Sequence, residues 1–345
     1  MSLENMKAYT VNNEFLNKKG LCGLTNLGNT CYMNVIIQCL SNSRLLLKYF
    51  LENQYINDVN PDEDDKNVVI EFNSLLRSLW YKNSVVNPTK FHSTIQLISL
   101  KKNMIQFSGF GQNDSQEFLQ FILETMHNSL SKKVKMTIEG RVKNEIDKLA
   151  ISAIKSWISY FKNDYSKIIE LFYGQYISKL LTIEEGKSSV SYSYDPFSSI
   201  SLEISDTFDT IYDCLDNHCK RELIDNNSSN KMQYKTPSFW KLPKILIVFF
   251  KRFDNNSDKL DYCINYPVDN LDMSKYITGY NKSKYVYELY GVCNHVGNLM
   301  GGHYFAYCKN ADNNWYQYND NIVSTLDDSK IVNQNAYCLF YKLKL

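Results

Sequence analysis

The sequence predicts an α+β fold in which a helical first half precedes a β-rich second half. Apolar residues recur at helical spacing over much of 20–170, whereas beyond 171 short aromatic and β-branched runs alternate with Gly, Asn and Ser clusters. A cysteine at a helix start in the first region and a histidine at a strand start in the second place that helix against the sheet. With 345 residues, 44% of them hydrophobic, the chain can bury a large core. No repeat or long low-complexity linker divides it, so the expected organisation is an extension over 1–19 and one domain over 20–345.

Taken in order, residues 1–20 are polar and lack the apolar core of a signal peptide. After Cys31, the residues Tyr32, Val35, Ile36, Cys39 and Leu40 share one helical face, and Asn29 or Thr30 can cap its start. A second helix is expected over 68–80 and a third over 115–130, where Phe118, Phe121, Ile122 and Met126 lie on one face. Residues 58–65 read as a solvated acidic turn around Pro61, and 131–148 as a charge-rich insertion. Helix resumes over 149–172, and the rest reads as strands.

The chemistry concentrates at two places. A thiol in the first turn of a helix meets unpaired amide donors and the positive end of the helix dipole, both of which favour thiolate. Cys31 has that setting, and Asn26 upstream, in a glycine-bearing loop, offers an uncharged amide donor for an oxyanion. Far along the chain, Gly301 and Gly302 precede His303, with alternating aromatic and small residues after it. A hairpin through 309–314 would return Asn319 or Asp320 beside His303, to accept the imidazole Nδ1 proton and fix which nitrogen faces the thiol. Cys22 is the neighbouring rival thiol.

These segments closely resemble the two boxes of the ubiquitin-specific proteases, papain-like cysteine peptidases. The cysteine box matches over 23–34. The histidine box matches at Asn294, His295, Gly297, Gly301, Gly302, His303, Tyr304, Ala306 and Tyr307, and again over 315–320. Gln112, Asp114, Glu117 and Phe118 are similar to the family's Gln-x-Asp-x-x-Glu-Phe helix start, with Asn113 standing where a second Gln or a His is common. The segments 166–175 and 240–253 resemble the entry to the fingers and the central palm strand.

The resemblance implies a papain-like fold with a helical thumb over about 20–170 and fingers and palm interleaved over about 171–345. It implies thiol hydrolysis of the bond after the C-terminal glycine of ubiquitin, with Cys31 as nucleophile, His303 as general base and acid, and Asn319 in the third triad position. Asp320 then supports the site from the strand end. Ubiquitin and ubiquitinated proteins are the implied partners, with Gly301 and Gly302 lining a channel too narrow for side chains and the loop 296–302 moving on binding. Asp114 would grip an arginine of the ubiquitin tail; its structural reading is a helix cap completed as a capping box by Glu117. A catalytically silent ubiquitin-binding module, or a protease for a ubiquitin-like modifier, is the alternative.

Many members of that family hold zinc in the fingers through two Cys-x-x-Cys pairs. Here the first pair falls on Thr182 and Glu185, and no cysteine stands between 224 and 240. No metal or cofactor is therefore expected. Cys214, His218 and Cys219 lack ligand spacing, and the fingers are expected to be held by Tyr176, Leu180, Tyr192, Tyr194, Phe197 and Ile200 instead. A net charge of +1 from scattered residues leaves no footprint for nucleic acid. Nine cysteines without framework spacing suit a reducing compartment, and the longest apolar run, 245–250, is too short for a bilayer. A cytoplasmic or nuclear protein without membrane partners is expected.

Overall fold

A computed structural model describes residues 8–224, 231–298 and 301–344. Its first part contains helices α1 (Asn13–Leu16), α2 (Cys31–Ser41), α3 (Arg44–Leu51), α4 (Lys66–Tyr81), α5 (Thr89–Lys101), α6 (Ser115–Leu130), α7 (Glu145–Phe161) and α8 (Lys167–Phe172). A parallel pair, β1 (Gly23–Leu24) with β2 (Val85–Val86), braces the loop before α2. A further helix, α9 (Ile211–His218), lies in the second part.

Two sheets follow. Strands β3 (Gly174–Glu184), β4 (Lys187–Ser193), β5 (Pro196–Phe197), β7 (Glu222–Ile224) and β8 (Lys231–Lys241) form the fingers, in the order β4-β3-β8-β7 with β5 on β3. The palm sheet runs β14-β13-β12-β11-β15-β9-β6, with β10 on β11. Its strands are β6 (Ile200–Glu203), β9 (Ile245–Lys251), β10 (Leu271–Asp272), β11 (Val286–Gly297), β12 (Gly302–Lys309), β13 (Trp315–Asn319), β14 (Ile322–Thr325) and β15 (Ala336–Leu343). All palm pairs are antiparallel except β6 with β9.

The main core lies between the helices and one face of the palm. Helix α2 is buried along its whole length, because the Phe118 face of α6 covers one side and β12 the other. A helix so enclosed has no solvent face for polar groups, so its two buried amides donate within the protein. Gln38 donates to Cys22 O at 2.8 Å and Asn34 to Asp320 at 2.8 Å.

Several expectations are corrected. Residue 19 is not a boundary: Tyr9 N donates to Leu51 O and Leu16 is buried in the main core. Helices α3 and α5 were not foreseen, the first because its apolar run directly follows α2, the second because Leu97 and Leu100 point outward and blur its periodicity. The 149–172 helix is two, broken before Ser166, whose side chain caps α8 by accepting from Ile169 N. The expected insertion 131–148 ends inside α7, which Asn144 and Asp147 start with a capping box.

The acidic turn is not merely solvated, since Asp58, Asp64 and Asp65 pair with Lys132, Lys101 and Lys102. The fingers are only partly held as expected. Tyr176 packs on Phe197 and Phe239, but Tyr192 is exposed, Ile200 belongs to the palm, and every residue of β4 is exposed because no second layer covers it. Cys214 is buried while His218 stacks on Phe239, and among the described residues no cluster of His, Cys, Asp or Glu could hold a metal. No helix among them is long and apolar enough to cross a membrane.

Candidate active site

Two elements bring the chemistry together. Cys31 opens α2, and Thr30 occupies the N-cap position, but its hydroxyl accepts from Leu27 N at 2.9 Å instead of capping the helix. His303 lies near the start of β12, and the backbone amide that follows it, on Tyr304, is directed at the Cys31 thiol. The register Ala306↔Tyr318 folds β13 back so that Asn319 Oδ1 lies 2.7 Å from His303 Nε2. The expected nitrogen is thus corrected: Asn319 holds Nε2, and with an amide oxygen as acceptor Nε2 carries the proton and Nδ1 keeps a lone pair.

Asp320 does not continue the strand. It turns with φ 49° between β13 and β14, and its carboxylate accepts from Asn26 Nδ2 at 2.9 Å and from Asn34 Nδ2 at 2.8 Å. Asn26 Oδ1 in turn accepts from the amides of Gly28 and Thr30. With its oxygen and one N–H engaged, Asn26 has its second N–H left to donate. The turn reaches this loop because Gly23 has no side chain; a Cβ there would lie 2.3 Å from Asn321 O.

The helix start is not the dominant influence on the Cys31 thiol. Burial raises its pKa, the Asp320 carboxylate adds to that, and the amide donors of Tyr304, Tyr32 and Cys31 itself only partly oppose it. Cys22 is no rival, being fully buried with its thiol donating to Lys82 O.

A cavity of about 270 Å³ opens beside Cys31, lined among others by Gln112, Asp114, Glu117, Phe253, His295 and Gly302. Asp114 caps α6 through Oδ1, which accepts from Gln116 N and Glu117 N, while Oδ2 accepts from Tyr337 at 2.6 Å and Tyr304 at 3.3 Å. Glu117 makes no reciprocal bond, so the expected capping box is absent. Gly302 N donates to Gln112 Oε1 across the cleft at 3.1 Å, and no side chain fits at 302, where a Cβ would lie 2.2 Å from His295 Nε2. Gly301 stands beside it, with the amide of Gly301 donating to Asn298 Oδ1. Val296 and Gly297 belong to β11 rather than to the expected mobile loop, whose Leu299 and Met300 lie outside the described residues.

Asn34, Tyr304, Tyr337 and His295 were given no role by sequence reasoning. An asparagine three residues after Cys31 in an otherwise apolar helix was a usable signal for Asn34. For Tyr337, which meets Asp114 across 223 positions, there was none.

A cysteine at the N-terminus of a helix that packs on the strand carrying a histidine–asparagine pair is the papain-like arrangement of a thiol peptidase. The family model described as ubiquitin carboxyl-terminal hydrolase matches residues 22–341. The chain is 34% identical over 348 residues to ubiquitin carboxyl-terminal hydrolase 2 of Bos taurus, covering 94% of this chain and 55% of that protein. Over 346 residues it is 34% identical to ubiquitin carboxyl-terminal hydrolase 2 of Gallus gallus, covering 94% of each. A solved SAGA Ubp8/Sgf11/Sus1/Sgf73 DUB module matches with TM-score 0.66 and 25% identity, over 99% of this chain and 71% of that one. The chain belongs to the ubiquitin carboxyl-terminal hydrolase family, as the resemblance of its two boxes implied. It spans about half the length of most of the curated relatives it matches first.

Proposed function

We propose that this chain is a deubiquitinating thiol hydrolase, cleaving the isopeptide or peptide bond after the C-terminal glycine of ubiquitin through a thioester on Cys31. The observation that carries the reading is the His303–Asn319 bond, which leaves His303 Nδ1 as a base on the strand whose next amide points at Cys31. Relatives named for ubiquitin hydrolysis support ubiquitin as the substrate.

As the carbonyl enters, the Cys31 proton passes to His303 Nδ1 and the thiolate adds to the carbonyl carbon. The oxyanion takes the free N–H of Asn26 and the amide of Cys31, while Asp320 keeps Asn26 aimed without touching the reacting atoms. The imidazolium returns its proton to the leaving lysine amine, and the C–N bond breaks to give the thioester. Water deprotonated by His303 then releases the ubiquitin carboxylate and restores the thiol. Asn319 holds the tautomer throughout, and the side-chain-free surface at Gly301 and Gly302 suits a glycine-ended tail, with Asp114 and Glu117 on the opposite wall. A cytoplasmic or nuclear site of action, with ubiquitinated proteins as partners, fits this chemistry.

The test is a ubiquitin probe carrying a C-terminal alkyne, set against the same probe built on ubiquitin-like modifiers. A covalent ubiquitin adduct on Cys31, lost in Cys31→Ala while reversible ubiquitin binding persists, is the expected result. Binding with no adduct would leave a silent module, and faster capture by a ubiquitin-like probe would change the substrate.

A further inference from the structure

The cleft beside Cys31 lies to one side of the His303–Asn319 pair. Gly302 on β12 and His295 on the next strand, β11, line it, with Gln112 and Asp114 on its other wall. On the reading proposed above, the tail carbonyl reaches Cys31 from that side. The lysine amine it releases, and the protein that carries the lysine, then stand on the other. In the sheet order that other side is β13 and then β14, the last strand of the palm.

A large apolar side chain stands there. Asn319, bonded to His303, is paired in register with Ile322 of β14, and directly opposite residues project to the same face of a sheet. His303, Asn319 and Ile322 therefore follow one another across that face, with Ile322 about 5 Å beyond Asn319 and 62% exposed. The other exposed residues of β14, Ser324 and Thr325, are polar. Val85, 54% exposed, flanks the same turn. It is the register partner of Gly23, on which the Asn321 backbone rests, so from Asn321 the chain leads on to Ile322 and the β1–β2 pair leads across to Val85.

The turn that carries Ile322 is anchored on both sides. Leu24 N donates to Asp320 O at 2.7 Å, and the Asp320 carboxylate accepts from Asn26 and Asn34. A side chain presented by so fixed a turn has little backbone freedom left to lose on binding. Solitary exposed apolar residues are ordinary on a protein surface. Ile322 differs in that the residue directly opposite it is the one bonded to His303.

We propose that Ile322, with Val85 on the neighbouring strand pair, forms an acceptor subsite for an apolar residue next to the lysine that carries ubiquitin. Lysine joins its main chain to the scissile nitrogen through a flexible four-carbon stem, which sets the flanking residues back from Cys31 and out over the β13–β14 step. The subsite rests on the thiol-hydrolase reading and adds to it which acceptors are favoured.

The test is hydrolysis by the full chain of ubiquitin joined through an isopeptide bond to the lysine of Gly-Leu-Lys-Leu-Gly or of Gly-Ser-Lys-Ser-Gly. The aminocoumarin conjugate of ubiquitin, which has no acceptor peptide, is run alongside. The ratio of kcat/KM for the two peptides, read within each protein, cancels any general loss of activity. A ratio of about five to ten in favour of leucine is expected for the wild type, the gain from burying roughly 50 Å² of apolar surface. Ile322→Ser should bring the ratio to near unity and Val85→Ser should lower it. Ile322→Glu should instead favour a peptide with arginine in the leucine positions, a gain that no structural role would produce. Wild-type turnover of the aminocoumarin conjugate with a peptide ratio near unity would overturn the subsite alone, as would a ratio unchanged in both serine variants. No turnover of any conjugate would overturn the hydrolase reading and the subsite together.

Discussion

Asp320 and Asn26, 294 positions apart, meet through a 2.9 Å hydrogen bond that ties the loop before Cys31 to the turn after the His303 hairpin. The bond fixes the amide rotamer of Asn26, and Asn34 secures the other carboxylate oxygen. Asp320→Ala therefore releases a positioned donor without removing it. Turnover of a fluorogenic ubiquitin conjugate should fall mainly in kcat, by less than the about 10²–10³-fold expected for Asn26→Ala, which deletes the donor outright. A larger loss for Asp320→Ala than for Asn26→Ala, in folded proteins, would mean that Asp320 acts on the chemistry directly.

Cys31 ionisation gives a second measurement. Burial and Asp320 both raise its pKa, so alkylation of the resting enzyme should climb with pH through a midpoint above the ordinary thiol value. Asp320→Asn removes the negative charge and should lower that midpoint. Asn319→Ala should leave it nearly unchanged and reduce turnover by misorienting His303, because Asn319 touches the imidazole and carries no charge. A midpoint displaced by Asn319→Ala alone would reverse these two assignments.

His295 provides a pH dependence of stability. Burial, with Lys259 nearby, lowers its pKa from 6.5 to about 4 in the folded chain. Above 6.5 it is neutral in both states. As pH falls from there towards 4 the unfolded chain takes up a proton that the folded chain resists, so stability drops by up to about 3 kcal/mol. Thermal melts should decline more steeply over that window in the wild type than in His295→Gln. Parallel curves would show that His295 takes up its proton alike in the folded and unfolded chains.

Asp114 combines a helix cap with two tyrosine contacts. Asp114→Ala should lower stability by about 0.5–2 kcal/mol for the cap, with a further loss from the stranded hydroxyls of Tyr304 and Tyr337. If Asp114 also meets the substrate tail, KM rises more than kcat falls. Asp114→Asn, which keeps the cap acceptor, separates the two effects: restored melting temperature with a raised KM identifies the binding role.

The sequence by itself determined what depends on near neighbours. Helical spacing after Cys31 set that cysteine at a helix start, the periodicity of 115–130 matched α6 to the residue, and alternation after Gly302 gave β12 and its hairpin to β13. These are short-range properties of the backbone and side-chain pattern, so local reading suffices. The tertiary structure alone decided which imidazole nitrogen Asn319 holds, that Asp320 secures Asn26, and that Asp114 receives Tyr337. It also set the burial that raises the pKa of Cys31. A helix start favours thiolate through its amides, but the desolvation that outweighs them comes from the enclosed packing around α2, mainly α6 and β12, and no local stretch of sequence encodes how deeply packing will bury an atom.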